Sequence, residues 1–278
     1  MIDELGSFGG ASDPECRQAL KACSLASSSF LPSSRKYLFA EVRLKECAVG
    51  EDLETSSGLA CILDVLVEDS KIKLSSQHIP PLASHIRTLC IILSPIRAYH
   101  QKNFHTNSPS DVPAILEILI ANSLIASFSL KFAVGGAFVE WTYVDEALKA
   151  GIKSLCRSPS ITTLQFQGIQ GLPTSLIRGC PNLKALFLDS VSCLAASIVH
   201  ASSPTFLSPK KATGPTFLSP KQATGCCFSH LEFFAVSGSE FRQVLEPLLL
   251  SRPSSLTRLR HIEFSVDVIL GVLMSWKS

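Results

Sequence analysis

The amino-acid sequence predicts an α/β fold in which a short helical segment precedes an irregular solenoid of alternating strands and helices. Two observations carry this prediction. An apolar helical face lies near the N-terminus. After it in the sequence, the spacing L-x-x-L-x-L recurs seven times, if other apolar residues are also allowed at the L positions. Hydrophobic residues make up 46% of the 278-residue chain, which is enough for one large domain or for a small domain followed by an elongated one.

The helical segment has a clear beginning in the sequence. Asp13 and Pro14 are a good N-cap and a good first-turn residue. Apolar residues then recur at helical spacing on one face: Ala19, Ala22, Cys23, Ala26 and Phe30. We expect Pro32 to end this helix, because its ring disfavours helix at the preceding residue and it has no N–H to donate. A basic turn and a first strand ending at Leu44 should follow, although an ordinary amphipathic helix that opens a domain would give the same pattern.

The repeated spacing, called a frame below, predicts the strands. The last two apolar positions of each frame alternate, as they do in a strand with one buried face. The frames are Phe39/Val42/Leu44, Ile86/Leu89/Ile91, Ile125/Phe128/Leu130, Ile161/Leu164/Phe166, Leu183/Leu186/Leu188, Leu231/Phe234/Val236 and Leu259/Ile262/Phe264. Helix-like segments lie between them, at Val144 to Cys156, Pro173 to Cys180 and Phe241 to Leu250. This alternation favours a repeat solenoid, whose units bury their faces only against neighbours; a sheet of generic βαβ units would also give it.

A second kind of repetition predicts an inserted loop. The segments 204–214 and 215–225 are identical at ten of eleven positions, and they are rich in Pro, Ser, Thr, Gly and Lys, which favour a solvated loop. The frames that begin at Leu183 and Leu231 lie 48 residues apart, but only 26 apart without the duplicated 22, which is close to the spacing of their neighbours. We therefore predict a loop insertion at about 202–226.

This loop contains candidate modification and anchoring residues. Ser208 and Ser219 are candidate phosphorylation sites, because each is followed by Pro and Lys, and a phosphate would add nearly two negative charges to a basic loop. Phe206 and Phe217 are candidate anchors for a protein partner. Ser-Pro as ordinary turn chemistry, and phenylalanine rings folded back onto the solenoid, are the alternatives.

Composition argues against several partners. The net charge is only +2 at pH 7, which gives no sign of a nucleic-acid or membrane partner. The ten cysteines contain no C-x-x-C pair, so no zinc or redox motif is indicated. The longest apolar region, Ala114 to Trp141, is interrupted by Glu117 and Lys131, and the 13 uncharged residues between these two charges are too few to span a bilayer. We expect a soluble cytoplasmic or nuclear protein that requires no metal or cofactor.

Signatures of catalysis are also missing from the sequence. No G-x-S-x-G, G-x-x-x-x-G-K-[ST], G-x-G-x-x-G or H-E-x-x-H motif occurs. The seven histidines are scattered, and no set of acid, base and nucleophile is spaced to converge. The sequence therefore predicts no catalytic residues, and we expect a protein that is not an enzyme.

Two segments resemble a known family. The string ALKACSLASSSFLPSSRKYLF, residues 19–39, resembles the second half of an F-box, especially in the F-box-like proteins common in mushroom-forming fungi. The string SLIRGCPNLKALFLDSVS, residues 175–192, is similar to the cysteine-containing leucine-rich repeats that follow F-boxes. The resemblance implies a partial F-box-like helical segment at 1–38 and an irregular leucine-rich-repeat-like β/α solenoid at 39–278.

The resemblance also implies a function. Such a protein is a substrate-recognition adaptor of a cullin–RING (SCF-type) ubiquitin ligase: its helical segment docks on a Skp-type adaptor protein, and its solenoid holds a protein substrate whose identity the sequence does not give. Leu20, Leu25 and Pro32 match the family string and are the adaptor-docking candidates, while Cys23 and Phe30 are expected to be internal.

The chain also departs from the family. The L-P-x-E helix that opens an F-box is missing, and the final residues VILGVLMSWKS stop in an apolar run. Both ends therefore have the features of a truncated gene model. The alternative to the adaptor function is a repeat-type protein-interaction scaffold, or a remnant copy, that does not bind the Skp-type adaptor.

Overall fold

Helices and strands alternate along the computed structural model, which describes residues 13–45, 56–72, 80–93, 111–132, 138–194, 229–238 and 258–265. The described helices are α1 (Pro14–Ala26), α2 (Leu31–Leu38), α3 (Ser56–Ile72), α4 (Asp111–Asn122), α5 (Glu146–Cys156) and α6 (Thr174–Arg178). The described strands are β1 (Glu41–Lys45), β2 (Thr88–Leu93), β3 (Ser127–Phe132), β4 (Val139–Glu140), β5 (Thr163–Pro173), β6 (Ala185–Leu194), β7 (Phe233–Ser237) and β8 (His261–Ser265). Short 3₁₀ helices occupy Ser28–Phe30, Leu82–His85 and Trp141–Tyr143.

The N-terminal segment forms two helices. Asp13 caps α1 as predicted, because its side chain accepts a hydrogen bond from the backbone N of Glu15 at 3.1 Å. The prediction that Pro32 ends this helix is wrong, since α1 already stops at Ala26 and Pro32 lies in the first turn of α2. A proline is tolerated there because first-turn N–H groups have no partner within the helix. The predicted basic turn is likewise helical.

The strands form one sheet in which every pairing is parallel and the strand order follows the chain, β1-β2-β3-β5-β6-β7-β8, with β4 pairing to the far end of β5. All seven predicted frames lie in this sheet in one common register. The middle frame positions pair from strand to strand in a single row, which consists of Val42, Leu89, Phe128, Leu164, Leu186, Phe234 and Ile262. The predicted α/β class is therefore confirmed.

A repeated hydrogen-bond arrangement fixes this register. The backbone O of Ala40, which precedes β1, accepts from the N–H groups of both Arg87 and Thr88, at 2.9 Å each. The same double acceptance occurs at each following step through the sheet, with distances of 2.8 to 3.1 Å; the acceptors are Arg87, Ala126, Thr162, Lys184 and Glu232. Each strand is thus attached to its neighbour at one level, whatever side chains it carries.

The apolar side of the sheet packs under helices. The frame residues from Leu44 on β1 to Val236 on β7 form one buried cluster with residues of α3, α4, α5 and α6, and the rings of Phe128 and Phe166 meet edge to face at 6.3 Å within it. On the last strand, β8, the frame residue Ile262 is instead 49% exposed. The predicted helical segments at 144–156 and 173–180 are confirmed as α5 and α6. The third, at 241–250, and the insertion at about 202–226 lie outside the described residues.

Three neighbouring strands carry a left-handed backbone residue at the same level. Gly168, Ser190 and Gly238 have φ values of 71°, 54° and 108°, and each directly follows one of the paired residues Gln167, Asp189 and Ser237. β5 and β6 keep their register to Ile169 and Val191, and it shifts between Ile169 and Leu172. Gly238 also has no room for a side chain, since a Cβ built there would lie 3.1 Å from the Cα of Ser190. The chain therefore bends at the same level in neighbouring units.

Candidate functional site

The sheet has a second face that no described helix covers. It is formed by the residues that alternate with the buried frame positions, and we call it the outer face. Its residues are Glu41, Arg43, Lys45, Thr88, Cys90, Ile92, Ser127, Ser129, Lys131, Thr163, Gln165, Gln167, Ala185, Phe187, Asp189, Phe233, Ala235, Ser237, His261 and Glu263. Most of them are exposed or half-buried, so the outer face is an accessible surface to which strands along the whole sheet contribute.

The end of the outer face at β1 to β3 is basic. Arg43 and Lys45 on β1 and Lys131 on β3 supply three positive charges, and Glu41 supplies the one acidic side chain among the outer-face positions of these strands. The Nε of Arg43 lies 2.6 Å from Oε1 of Glu41. Since this pair is exposed, it contributes little to stability, and a net positive charge remains for a partner.

The end at β6 to β8 is aromatic and acidic. The ring centroids of Phe187 and Phe233 are 4.9 Å apart, and the ring of His261 stacks on Phe233 at 4.8 Å with an interplanar angle of 8°. Asp189 and Glu263 lie on the same face, and no Lys or Arg occupies a described outer-face position of β5 to β8. The two ends of the outer face therefore differ in the sign of their charge and in the presence of aromatic rings.

The carboxylate of Asp189 is held in place by its neighbours. Its Oδ1 accepts from the hydroxyl of Ser237 at 2.6 Å and from that of Ser190 at 3.2 Å. Between the two ends, Gln165 on β5 accepts from the hydroxyl of Ser129 at 3.2 Å. These polar contacts order the outer face without neutralising its charges.

The cluster of rings is not evident from the sequence, because its members come from three different strands. Phe187 lies between two buried frame residues, and Phe233 directly precedes another. The one sequence signal for such a surface is an aromatic residue at an x position of the L-x-x-L-x-L spacing. His261, the third ring of the cluster, is exposed.

The adaptor-docking candidates are divided between interior and surface. Leu25 is 88% exposed and Pro32 is also exposed, but Leu20 is fully buried and so cannot contact a partner in this structure. Phe30, expected to be internal, is instead 40% exposed, and Cys23 is half-buried. Packing against α2 determines which side of α1 is buried, so Leu20 is buried instead of the predicted apolar face.

Charged groups join α2 to α3 next to a half-buried histidine. Arg35 of α2 lies 3.7 Å from Asp69 of α3, and the same carboxylate accepts from the backbone N of Leu82 in the turn that contains His85. Nε2 of His85 is buried and has no hydrogen-bond partner among the described residues. Burial is the largest cause that lowers the pKa of His85, and the positive charge of Arg35 acts in the same direction.

We expect this histidine to make the protein less stable in mild acid. Arg87 and Lys36 also lower the pKa of His85, whereas Asp69 opposes them, so the folded state binds its proton less readily than the unfolded state does. The free energy of unfolding should therefore fall as the pH drops below about 6.5, the ordinary histidine value. Urea denaturation at pH 7.5 and 5.5 checks this, and His85→Phe should show a smaller difference between the two pH values. An equal difference in both proteins would contradict the assignment.

The described residues offer little chemistry of other kinds. They contain no group of three or more His, Cys, Asp or Glu that could hold a metal ion. Burial raises the pKa of the Cys193 thiol to about 12, and a hydrogen bond with Cys180, together with burial, raises the pKa of Cys156. Both thiols therefore stay protonated at neutral pH, and a protonated thiol is a poor nucleophile.

The remaining sequence predictions concern the inserted loop and the membrane. Ser208, Ser219, Phe206 and Phe217 lie outside the described residues, so they stay predictions. Within the described part of the chain, no helix combines the length and the apolar character needed to span a bilayer.

Comparisons of this chain with protein-family models, with curated proteins and with solved structures found no match. Its function must therefore be inferred from its own residues, above all those of the outer face and of α1 and α2.

Proposed function

We propose that this protein is a substrate-recognition adaptor of a cullin–RING (SCF-type) ubiquitin ligase. Helices α1 and α2 would dock on a Skp-type adaptor, and the outer face would hold a protein substrate. The observation that carries the proposal is the common register of seven frames in one parallel sheet that follows the chain order. Catalysis would be by proximity: the adaptor holds its substrate beside a charged ubiquitin carrier and performs no bond chemistry itself.

Several contacts support an irregular leucine-rich-repeat-like solenoid. Stacked units that repeat the same backbone contact are typical of solenoids, whose repeats touch only their neighbours. The double-acceptor carbonyl recurs at every step from β1 to β8. Within the C-P-N-L string, Cys180 is buried with its thiol 3.7 Å from the backbone O of Leu176, and Asn182 donates to the backbone O of Pro159 in the preceding unit at 2.8 Å.

The docking role of the helices is supported by exposed apolar side chains close together in the sequence. Leu25, Phe30 and Pro32 all present accessible surface between the last turn of α1 and the first turn of α2. Exposed apolar side chains that lie close together are typical of protein-interaction surfaces, and their burial by a partner would be favourable. Because Leu20 is buried and Phe30 is exposed, Phe30 replaces Leu20 among the proposed docking residues.

Co-purification with a Skp-type adaptor tests this role. We expect Leu25→Asp to weaken adaptor binding by at least about tenfold, since burial of one leucine side chain contributes about 1.5–3 kcal/mol. Leu124→Asp is the matched control, because Leu124 is also an exposed leucine, at 63%, but lies after α4. Equal retention of both variants would count against docking through this segment.

The alternative is a repeat-type interaction scaffold that does not bind the adaptor. The burial of Leu20 favours it, because one of the three docking residues predicted from the sequence cannot take part in docking. A wild-type protein that is folded by circular dichroism, yet is not retained by the adaptor, would support this alternative and overturn the adaptor role.

A further inference from the structure

The distribution of charge on the outer face points to a specific kind of partner. We propose that this face binds an extended protein segment that carries a cationic side chain at one end and carboxylates at the other. The cationic side chain would lie against β6 to β8, and the carboxylates against β1 and β3. The proposal specifies the substrate-holding role given above, and it does not depend on docking to a Skp-type adaptor.

The aromatic end is suited to an arginine or lysine side chain. A cation is attracted to the face of an aromatic ring and to a nearby carboxylate, and arginine is the better fit because its planar group stacks on rings. Phe187 and Phe233 have Ala235 and Ala185 as cross-strand neighbours on one side, so the residue on that side of each ring is small; on the other side they have Gln165 and His261. Asp189, fixed by two serine hydroxyls, supplies the negative charge.

The second acidic residue and the last ring extend this end to β8. Glu263 is exposed on the outer face, two residues beyond His261, whose ring stacks on Phe233. No described lysine or arginine on the outer face of β5 to β8 competes for these carboxylates. The charge that complements this end is therefore positive.

The opposite end is suited to carboxylates. Arg43, Lys45 and Lys131 outnumber Glu41 there, so a negative charge is favoured. Four strand spacings separate β1 from β6 in the sheet order, which is about 19 Å at 4.7–4.9 Å each. An extended segment advances about 3.3 Å per residue, so its cationic and acidic residues should lie about six positions apart.

This arrangement favours a protein segment over a nucleic acid. Nucleic-acid surfaces combine stacking rings with positive charge at the same place, because each base carries a phosphate beside it. Here the rings lie beside Asp189 and Glu263, which would repel phosphate, while the basic residues lie two strand spacings (Lys131) and four strand spacings (Arg43 and Lys45) from β6. A protein chain can separate its cationic and anionic side chains as this surface requires.

Selection from a library of displayed random 12-residue peptides tests the proposal. The bait is the purified full chain without any adaptor, so failure of adaptor docking does not affect the outcome. We expect the enriched peptides to carry arginine or lysine about six residues from aspartate or glutamate. No enrichment, enrichment without this charge pattern, or preferential binding of a single-stranded oligonucleotide would overturn the proposal.

Variants of the outer face locate the binding. The double substitution Asp189→Asn and Glu263→Gln should lower the affinity for a selected peptide by about tenfold and remove the preference for a cationic residue in it. Arg43→Glu with Lys45→Glu should remove the preference for its acidic residues. The matched control is Asp64→Asn with Glu117→Gln, the same chemical change at exposed positions of α3 and α4, and it should leave binding unchanged. Equal loss in the control and the outer-face variants would overturn the location.

Discussion

Replacing Phe166 with alanine is expected to lower the free energy of unfolding by about 3–5 kcal/mol. The Phe166 ring is fully buried on the helix-covered side of the sheet, and it packs edge to face on Phe128. The substitution removes the free energy gained by transferring the ring out of water. It also leaves a cavity, whose lining residues lose their contacts with the ring. Urea denaturation followed by circular dichroism measures the change.

The matched control is Phe187→Ala on the adjacent strand. Phe187 is half-buried on the outer face, so the same substitution removes less buried area and leaves no enclosed cavity. We expect the free energy of unfolding to fall by about 1 kcal/mol, because the variant loses the ring contact with Phe233 and the partly buried area of the side chain. Similar losses for the two variants would mean that the two faces of the sheet do not differ in burial as described.

Replacing Gly238 with alanine is expected to cost about 2–4 kcal/mol. The backbone of Gly238 has φ 108°, which residues with a Cβ rarely adopt, and the added methyl group would lie 3.1 Å from the Cα of Ser190. Because the obstructing atom belongs to the backbone of β6, relief would require one strand to move relative to the other. The shift in the urea midpoint measures the cost.

Gly151→Ala offers a sharp comparison, because a Cβ there would approach another atom equally closely. At 3.1 Å, however, that atom is Cδ1 of Leu116, the flexible end of a side chain, and Gly151 lies inside the helix α5. Alanine gains about 1 kcal/mol of helix propensity, which offsets the adjustment of Leu116, so we expect a change within about 1 kcal/mol. Equal destabilisation by the two substitutions would contradict the role given to the backbone at Gly238.

Local rules predicted the parts of the fold that depend on a few neighbouring residues. Alternating apolar positions are sufficient to mark a strand with one buried face, and every frame lies in the sheet. Asp13 and Asp145 begin their helices because each side chain accepts from a nearby backbone N–H group. Such contacts span two or three residues, so they are visible in the sequence.

The failures arise where packing between distant segments decides the outcome. Pro32 is compatible both with the end of one helix and with the first turn of another, and its local sequence does not choose between them. Leu20 is buried because α2 covers that side of α1. The contact between Phe187 and Phe233 depends on the register of β6 and β7, whose residues are far apart in the chain.

The double-acceptor carbonyl makes the alignment of a strand independent of the length of chain that leads to it. Eleven residues separate β5 from β6 and 38 separate β6 from β7, yet the incoming strand is attached at the same level in both cases. Doubling the length of a flexible connection adds only about 0.6 kcal/mol of closure entropy. A gene that encodes such a chain can therefore acquire copied segments between its strands, as the tandem unit at 204–225 illustrates, while the surface built by the strands is inherited unchanged.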